Sequence, residues 1–185
     1  YMNQGLQLYE KEEKVISLHG YMYPVKARLP ETFFLRGADC WGWATWRRGW
    51  QLFEPDGAKL LKALNDRGLV REFNFNNTFN FALHLKDQIK GKKDSWAIRW
   101  YASAFLADRL TLWPYYSLVQ NIGFDKSGTH SEGPSHYQSE ILMKELKVLP
   151  ITIQENQIAR ENIADYFRSI RGNLIYRIKK IFLHS

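Results

Sequence analysis

With 185 residues, 45% of them hydrophobic and 24% charged, the chain has ordinary globular composition and enough apolar mass for one core. Its longest apolar runs, such as "TFFL" and "LKVLPITI", fall far short of the roughly 20 residues that a membrane-spanning helix needs, which argues against a bilayer-crossing segment. The net charge of +7 favours an anionic partner: nucleic acid, phospholipid headgroups or a phosphate-bearing small molecule.

Cys40 is the only cysteine, so no intrachain disulfide and no cysteine-rich zinc site is expected, which fits a reducing compartment such as the cytoplasm. The opening "YMNQGLQLYEKEEK" carries charge where a signal peptide would be apolar. A first residue Tyr1 rather than Met is what a fragment or a processed product would show.

In chain order, "GLQLYEKEEKVISLHGYMYP" predicts an amphipathic helix, with Leu6 and Tyr9 on one face, followed by a strand in "KVISLHGY" that Pro24 stops. A second strand is expected over residues 32–35. The stretch "LRGADCWGWATWRRGW", residues 35–50, holds four tryptophans and three arginines. Its glycines predict a turn containing Trp41. The three-and-four spacing of Trp43, Trp46 and Trp50 then predicts a helix with these indoles on one face, Trp46 and Trp50 anchoring it in the core.

Residues 57–92 read as two helices, "GAKLLKALNDRG" and "FNNTFNFALHLKDQIKG", each closed by a glycine suited to a C-terminal cap. Phe73, Phe75, Phe79 and Phe81 are expected in the core. In "KKDSWAIRWYASAFLADR" either Asp94 or Ser95 stands at the N-cap, with Trp96, Trp100 and Ser103 on one stripe. "LTLWPYYSLVQNIG" reads as a strand, and "FDKSGTHSEGPSHYQ" as a long polar loop of the kind that is functional or disordered. From about Pro150 the chain becomes helical and increasingly basic. Ile170, Leu174, Ile175, Ile178 and Phe182 alternate there with Arg168, Arg171, Arg177, Lys179 and Lys180. Two readings stand side by side, a helix on an anionic membrane surface and a helix packed on its own domain or a neighbouring subunit.

Familiar catalytic signatures are absent. There is no Walker loop, G-x-G-x-x-G, G-x-S-x-G or H-E-x-x-H, and no D-x-D pair. Of the five histidines only His130 and His136 lie close together, at loose spacing. Asp94 is the acid that stands out: it precedes a helix whose N-terminus favours an ionised carboxylate able to accept a proton, although capping alone would also place an Asp there. The tryptophan segment has the same duality. Indoles offer a flat apolar surface to a sugar ring, with arginines beside them to meet hydroxyls or phosphates. Nucleic-acid stacking uses the same parts, but basic residues are dispersed among acids through residues 1–150, which weighs against a nucleic-acid partner.

The blocks "KVISLHGYMYP", "FFLRGADCWGWATWRRGW", "DSWAIRWYAS" and "LTLWPYYSLVQNIGFDKSGTH", in that order over roughly residues 1–135, resemble the C-terminal half of bacterial nucleotide-diphospho-sugar glycosyltransferases of the GT-A type. They are also similar to the Golgi β-1,2-N-acetylglucosaminyltransferase that acts on mannosides. The resemblance implies an α/β fold, with residues 1–149 as the acceptor and catalytic portion and residues 150–185 as a basic amphipathic tail. It implies an inverting enzyme of surface-polysaccharide synthesis, working from a nucleotide-diphospho-sugar donor onto a glycan or lipid-linked acceptor at the inner face of the plasma membrane.

In such enzymes a divalent cation, manganese or magnesium, is held on the donor diphosphate by an acidic triplet just upstream of the segment equivalent to "YMNQGLQLYEKEEK". The donor half is therefore expected to be missing from this chain. Asp94 would be the catalytic base, with Lys93 where relatives often carry a second acid. The turn from Gly37 through Trp41 and Gly42 to Trp43 would border the sugar, with Arg36 and Arg99 nearby. Asn121 to His130 would close over the diphosphate, His130 contacting phosphate or metal. A carbohydrate-binding module derived from such an enzyme is the alternative.

Overall fold

A computed structural model describes residues 1–120, 137, 139–141, 143 and 145–182, with side chains along the last helix described as far as Arg171. The chain is mixed α/β. Its sheet has four strands, β1 (Val15–Leu18), β2 (Thr32–Arg36), β3 (Ala44–Thr45) and β4 (Leu110–Pro114), in the order β2-β4-β1-β3. β1 and β4 run parallel, while β2 on β4 and β3 on β1 are antiparallel. Every residue of β1 and β4 is buried, as expected for interior strands covered on both faces.

Period-two alternation distributes the side chains of β2. Phe34 joins Tyr9, Val15, Leu18, Leu110 and Leu112 on one face, under α1 (Met2–Leu8), with Ile151 and Ile153 packed against the same cluster. Phe33 and Leu35 join Met22, Trp113 and Phe75 on the other. There Ile16 also meets Trp100 and Ala104 of α6 (Trp96–Leu106). A helical subcore of Leu60, Leu64, Phe73, Leu85, Ile98 and Phe105 unites α6 with α3 (Gly57–Asp66), α4 (Val70–Phe73) and α5 (Phe81–Ile89). Asp56 caps α3, Asn80 caps α5 and Ser95 caps α6 by accepting from backbone N–H groups of the first turn. Gly68 and Gly91 take the left-handed conformation just past α3 and α5, as their sequence positions predict.

Two expectations need correction. The three-tryptophan helix does not form: Gly42 turns with φ +57°, residues 44–45 are drawn into the sheet as β3, and α2 (Arg47–Trp50) is a single turn with an extended Trp46 as N-cap. Extended backbone sends Trp43 and Trp46 to opposite faces. Trp43 packs with Trp100, whereas Trp46 packs beside Tyr9 and Phe34 beneath the Arg48 guanidinium. Trp50, expected in the core, is 43% exposed.

The second correction concerns residues 74–80. They form a turn with positive φ at Phe75, Asn76 and Asn77, so α5 begins later than the sequence pattern suggests. Phe73 and Phe75 are buried as expected, while Phe79 and Phe81 are half-buried.

The basic tail begins as part of the core. In α7 (Gln157–Phe182), Ala159, Ile163, Ala164 and Phe167 are buried against Phe33, Leu35, Phe75 and Trp113. Just before it, Asn156 N–H donates to the Phe34 carbonyl at 2.8 Å and covers the free edge of β2. Of the two readings of the tail, packing on its own domain describes its first half. Leu174, Ile175, Arg177, Ile178, Lys179, Lys180 and Phe182 lie beyond the described side chains.

Candidate functional site

A cavity of about 310 Å³ opens where β2 ends. One wall is the turn from Arg36 to Trp41, and the facing wall is the start of α6 at Ser95, Ala97, Ile98 and Tyr101. Phe75, Phe79, Phe81 and His84 contribute from the α4–α5 region, and Tyr23, Trp113 and Tyr137 complete it. Two segments more than fifty residues apart in the chain thus share one space. The close approach needs glycine. Gly37 sits at φ +93°, and a Cβ there would fall inside the Tyr101 ring. Tyr101 is held in place by donating its hydroxyl to the Phe73 carbonyl at 2.9 Å.

The predicted residues divide. Gly37 and Trp41 line the cavity, Trp41 packing edge-on to Tyr21 with ring centroids 4.7 Å apart. Arg36 also lines it, but its guanidinium is engaged internally: Nε donates to the Phe105 carbonyl at 3.0 Å and lies 3.2 Å from Asp108, and Nη1 meets Glu72 at 3.0 Å. Gly42 lies at the turn beyond, in contact with Val119, so the segment leading to residue 121 leaves from beside this turn.

Trp43 does not line the cavity. It joins Trp50, Trp96 and Trp100 in a cluster whose ring centroids lie 5.4–6.0 Å apart. Trp50 and Trp96 turn partly outward, 43% and 41% exposed. Asp94 stands immediately before the lining residue Ser95, with its carboxylate fully exposed and 4.0 Å from Arg99 Nη2. Ser95, not Asp94, is the N-cap. Arg99 spends its other donors on the carbonyls of Ser95 and Pro55, at 3.3 and 3.0 Å. Asn121 and His130 lie outside the described residues.

Of the remaining arginines, Arg48 ties down the chain between α1 and β1 by donating to the carbonyls of Tyr9, Glu10 and Val15 at 2.7–3.0 Å, and Arg47 is exposed.

Asp39 was not singled out from the sequence. It is the only carboxylate among the described lining residues, and its side chain is 30% exposed. One oxygen accepts from the Cys40 N–H at 2.6 Å, and the other lies 4.0 Å from Nε2 of His19. His19 is completely buried, its ring tilted 49° against Trp113 with centroids 4.1 Å apart, and neither of its ring nitrogens meets a hydrogen-bond partner among the described residues. Burial lowers its pKa to about 4, against the smaller upward pull of Asp39, so the ring is neutral at pH 7. His84 is lowered by burial and by Lys93, and the Cys40 thiol is pushed up to about 12 by burial and the adjacent Asp39 charge. The signal for Asp39 was its place between two glycines in "RGADCWGW", where the tryptophans drew the attention.

Among the described residues no group of three or more His, Cys, Asp and Glu side chains is placed to hold a metal ion, so those residues do not by themselves fit a divalent cation. No family model matches the chain, and neither curated proteins nor solved structures give a significant match.

Proposed function

We propose that the chain is the acceptor and catalytic portion of an inverting glycosyltransferase of the GT-A type, moving a sugar from a nucleotide-diphospho donor to a glycan or lipid-linked acceptor in bacterial surface-polysaccharide synthesis. The observation that carries this reading is the meeting of residues 36–41 and 95–101 around one aromatic-walled cavity, with Asp94 directly before its wall. Those are the blocks on which the resemblance rests. Trp41 would stack on a sugar ring. Asp94, with its carboxylate exposed, would take the proton of an acceptor hydroxyl as that oxygen bonds to the anomeric carbon and the donor's carbon–oxygen bond breaks, the electron pair leaving with the diphosphate. The carboxylates for a divalent cation would have to come from outside the described residues. The basic end of the chain would keep the enzyme peripheral at the cytoplasmic face of the membrane.

The test is calorimetric titration of this chain, and of a version extended upstream of Tyr1, with uridine-diphospho-sugars with and without manganese. Metal-dependent binding by the extended chain, with transfer abolished by Asp94→Asn, supports the reading. Failure of both chains to bind donor or metal overturns it in favour of a non-catalytic carbohydrate-binding module. The outward faces of Trp50 and Trp96 favour that second reading, since exposed indoles suit sugar stacking without any chemistry.

A further inference from the structure

The charge of the cavity runs against the charge of the chain. The molecule carries +7 overall, yet among the described lining residues the cationic groups are neutralised or neutral. Arg36 is matched by two carboxylates, Glu72 and Asp108, and stacks 4.1 Å over Phe105, its side chain only 13% exposed. His84 is held neutral by burial and by exposed Lys93. Beside the Asp39 carboxylate, among the described residues, the one neighbour of basic type within 4.0 Å is His19, which is neutral.

A carboxylate on the wall of a largely aromatic cavity, with no cation within 4.0 Å among the described residues, offers a counter-charge to a cationic ligand. The same cavity is lined by the aromatic rings of Tyr23, Trp41, Phe79, Phe81, Tyr101 and Trp113. Ring faces are electronegative, and an aromatic enclosure with one acid suits a positively charged, weakly hydrated group.

We propose that this cavity recognises an organic cation, a ligand bearing a protonated or quaternary amine held between the aromatic walls and the Asp39 carboxylate. An inorganic phosphate or a nucleotide diphosphate would meet an unpaired negative charge there, so the cavity is not the place for a donor's phosphates. The proposal stands on the cavity alone and does not require the transferase reading; within that reading, it makes the bound sugar one with a free amine.

The experiment is a proton NMR titration of the full chain with choline, with its neutral isostere 3,3-dimethylbutan-1-ol, and with inorganic phosphate. Choline methyl protons should shift upfield and saturate in the millimolar range or below, the neutral isostere should bind at least about tenfold more weakly, and phosphate should not displace choline. Asp39→Asn should weaken choline about tenfold and leave the isostere unchanged.

Equal affinities for choline and the isostere, an unaltered choline affinity in Asp39→Asn, displacement by phosphate, or no choline binding up to about 100 mM would each overturn the proposal. If Asp39→Asn does not fold, the comparison of choline with its isostere on the unsubstituted chain decides alone. The nucleotide-sugar titration reads the transferase proposal separately, so either can fail without the other.

Discussion

His19 shows how one buried side chain sets a pH dependence. Its pKa is about 4 in the folded chain and about 6.5 when unfolded. Between those values the unfolded chain binds a proton that the folded chain does not, so stability is complete above pH 6.5 and falls as pH drops toward 4. The loss from this group should reach roughly 3 kcal/mol. His19→Leu should flatten that part of a stability curve measured by urea denaturation at a series of pH values. The tryptophans make a second residue-level test. Trp100 is fully enclosed and Trp50 is 43% exposed, so Trp100→Ala should cost about 3–5 kcal/mol and Trp50→Ala nearer 1 kcal/mol by the same measurement. Glycines separate likewise. Gly68 has φ +66° and open space, so Gly68→Ala should cost about 1–2 kcal/mol of backbone strain. Gly37→Ala adds a collision with Tyr101, a further 1–3 kcal/mol or so, and should distort the cavity.

Among the elements, α7 has the role the sequence described least well. Arg160 is buried, pairs with Glu155 at 3.1 Å, donates to the Glu72 carbonyl and lies 4.5 Å over the Phe75 ring, while Glu155 also accepts the Arg36 backbone N–H at 3.0 Å. One ion pair thereby joins α7, β2 and α4. Arg160→Met should destabilise by about 3–5 kcal/mol, because it leaves the mostly buried Glu155 without its counter-charge. Ala159, Ile163, Ala164 and Phe167 of α7 belong to the core. Truncation after Asn156 should therefore abolish the cooperative thermal transition, measured by calorimetry.

For the whole molecule, positive charge gathers at one end of the chain. Residues 172–185 carry Arg177, Lys179 and Lys180 and no acid, so they enrich one end of the chain in positive charge. No helix among the described residues is long and apolar enough to cross a membrane. If the end meets a lipid surface, the full chain should sediment with vesicles rich in phosphatidylserine and not with neutral ones. The chain truncated after Arg171 should lose most of that binding, since each basic residue near the surface is worth about 1 kcal/mol. Equal sedimentation of both chains would exclude the tail as the contact.

Much of the frame was legible in the sequence. Strands at Val15–Leu18, Thr32–Arg36 and Leu110–Pro114, a cap at Asp94 or Ser95, and glycine stops after α3 and α5 follow from local patterns, because turn chemistry and apolar periodicity act over a few residues. The helix at Trp43, Trp46 and Trp50 was also a local reading, and there the pairing of Ala44 and Thr45 with β1 overrode the spacing. The candidate site was half legible: Trp41 stood out by composition, Asp94 by its place before a helix, and Gly37 through the resemblance. That Arg36 is spent on Glu72 and Asp108, that Asp39 faces the cavity without a cation, and that His19 lies enclosed behind it were decided by tertiary structure alone. Burial and the nearness of opposite charges depend on residues tens of positions apart, and no window of sequence contains them.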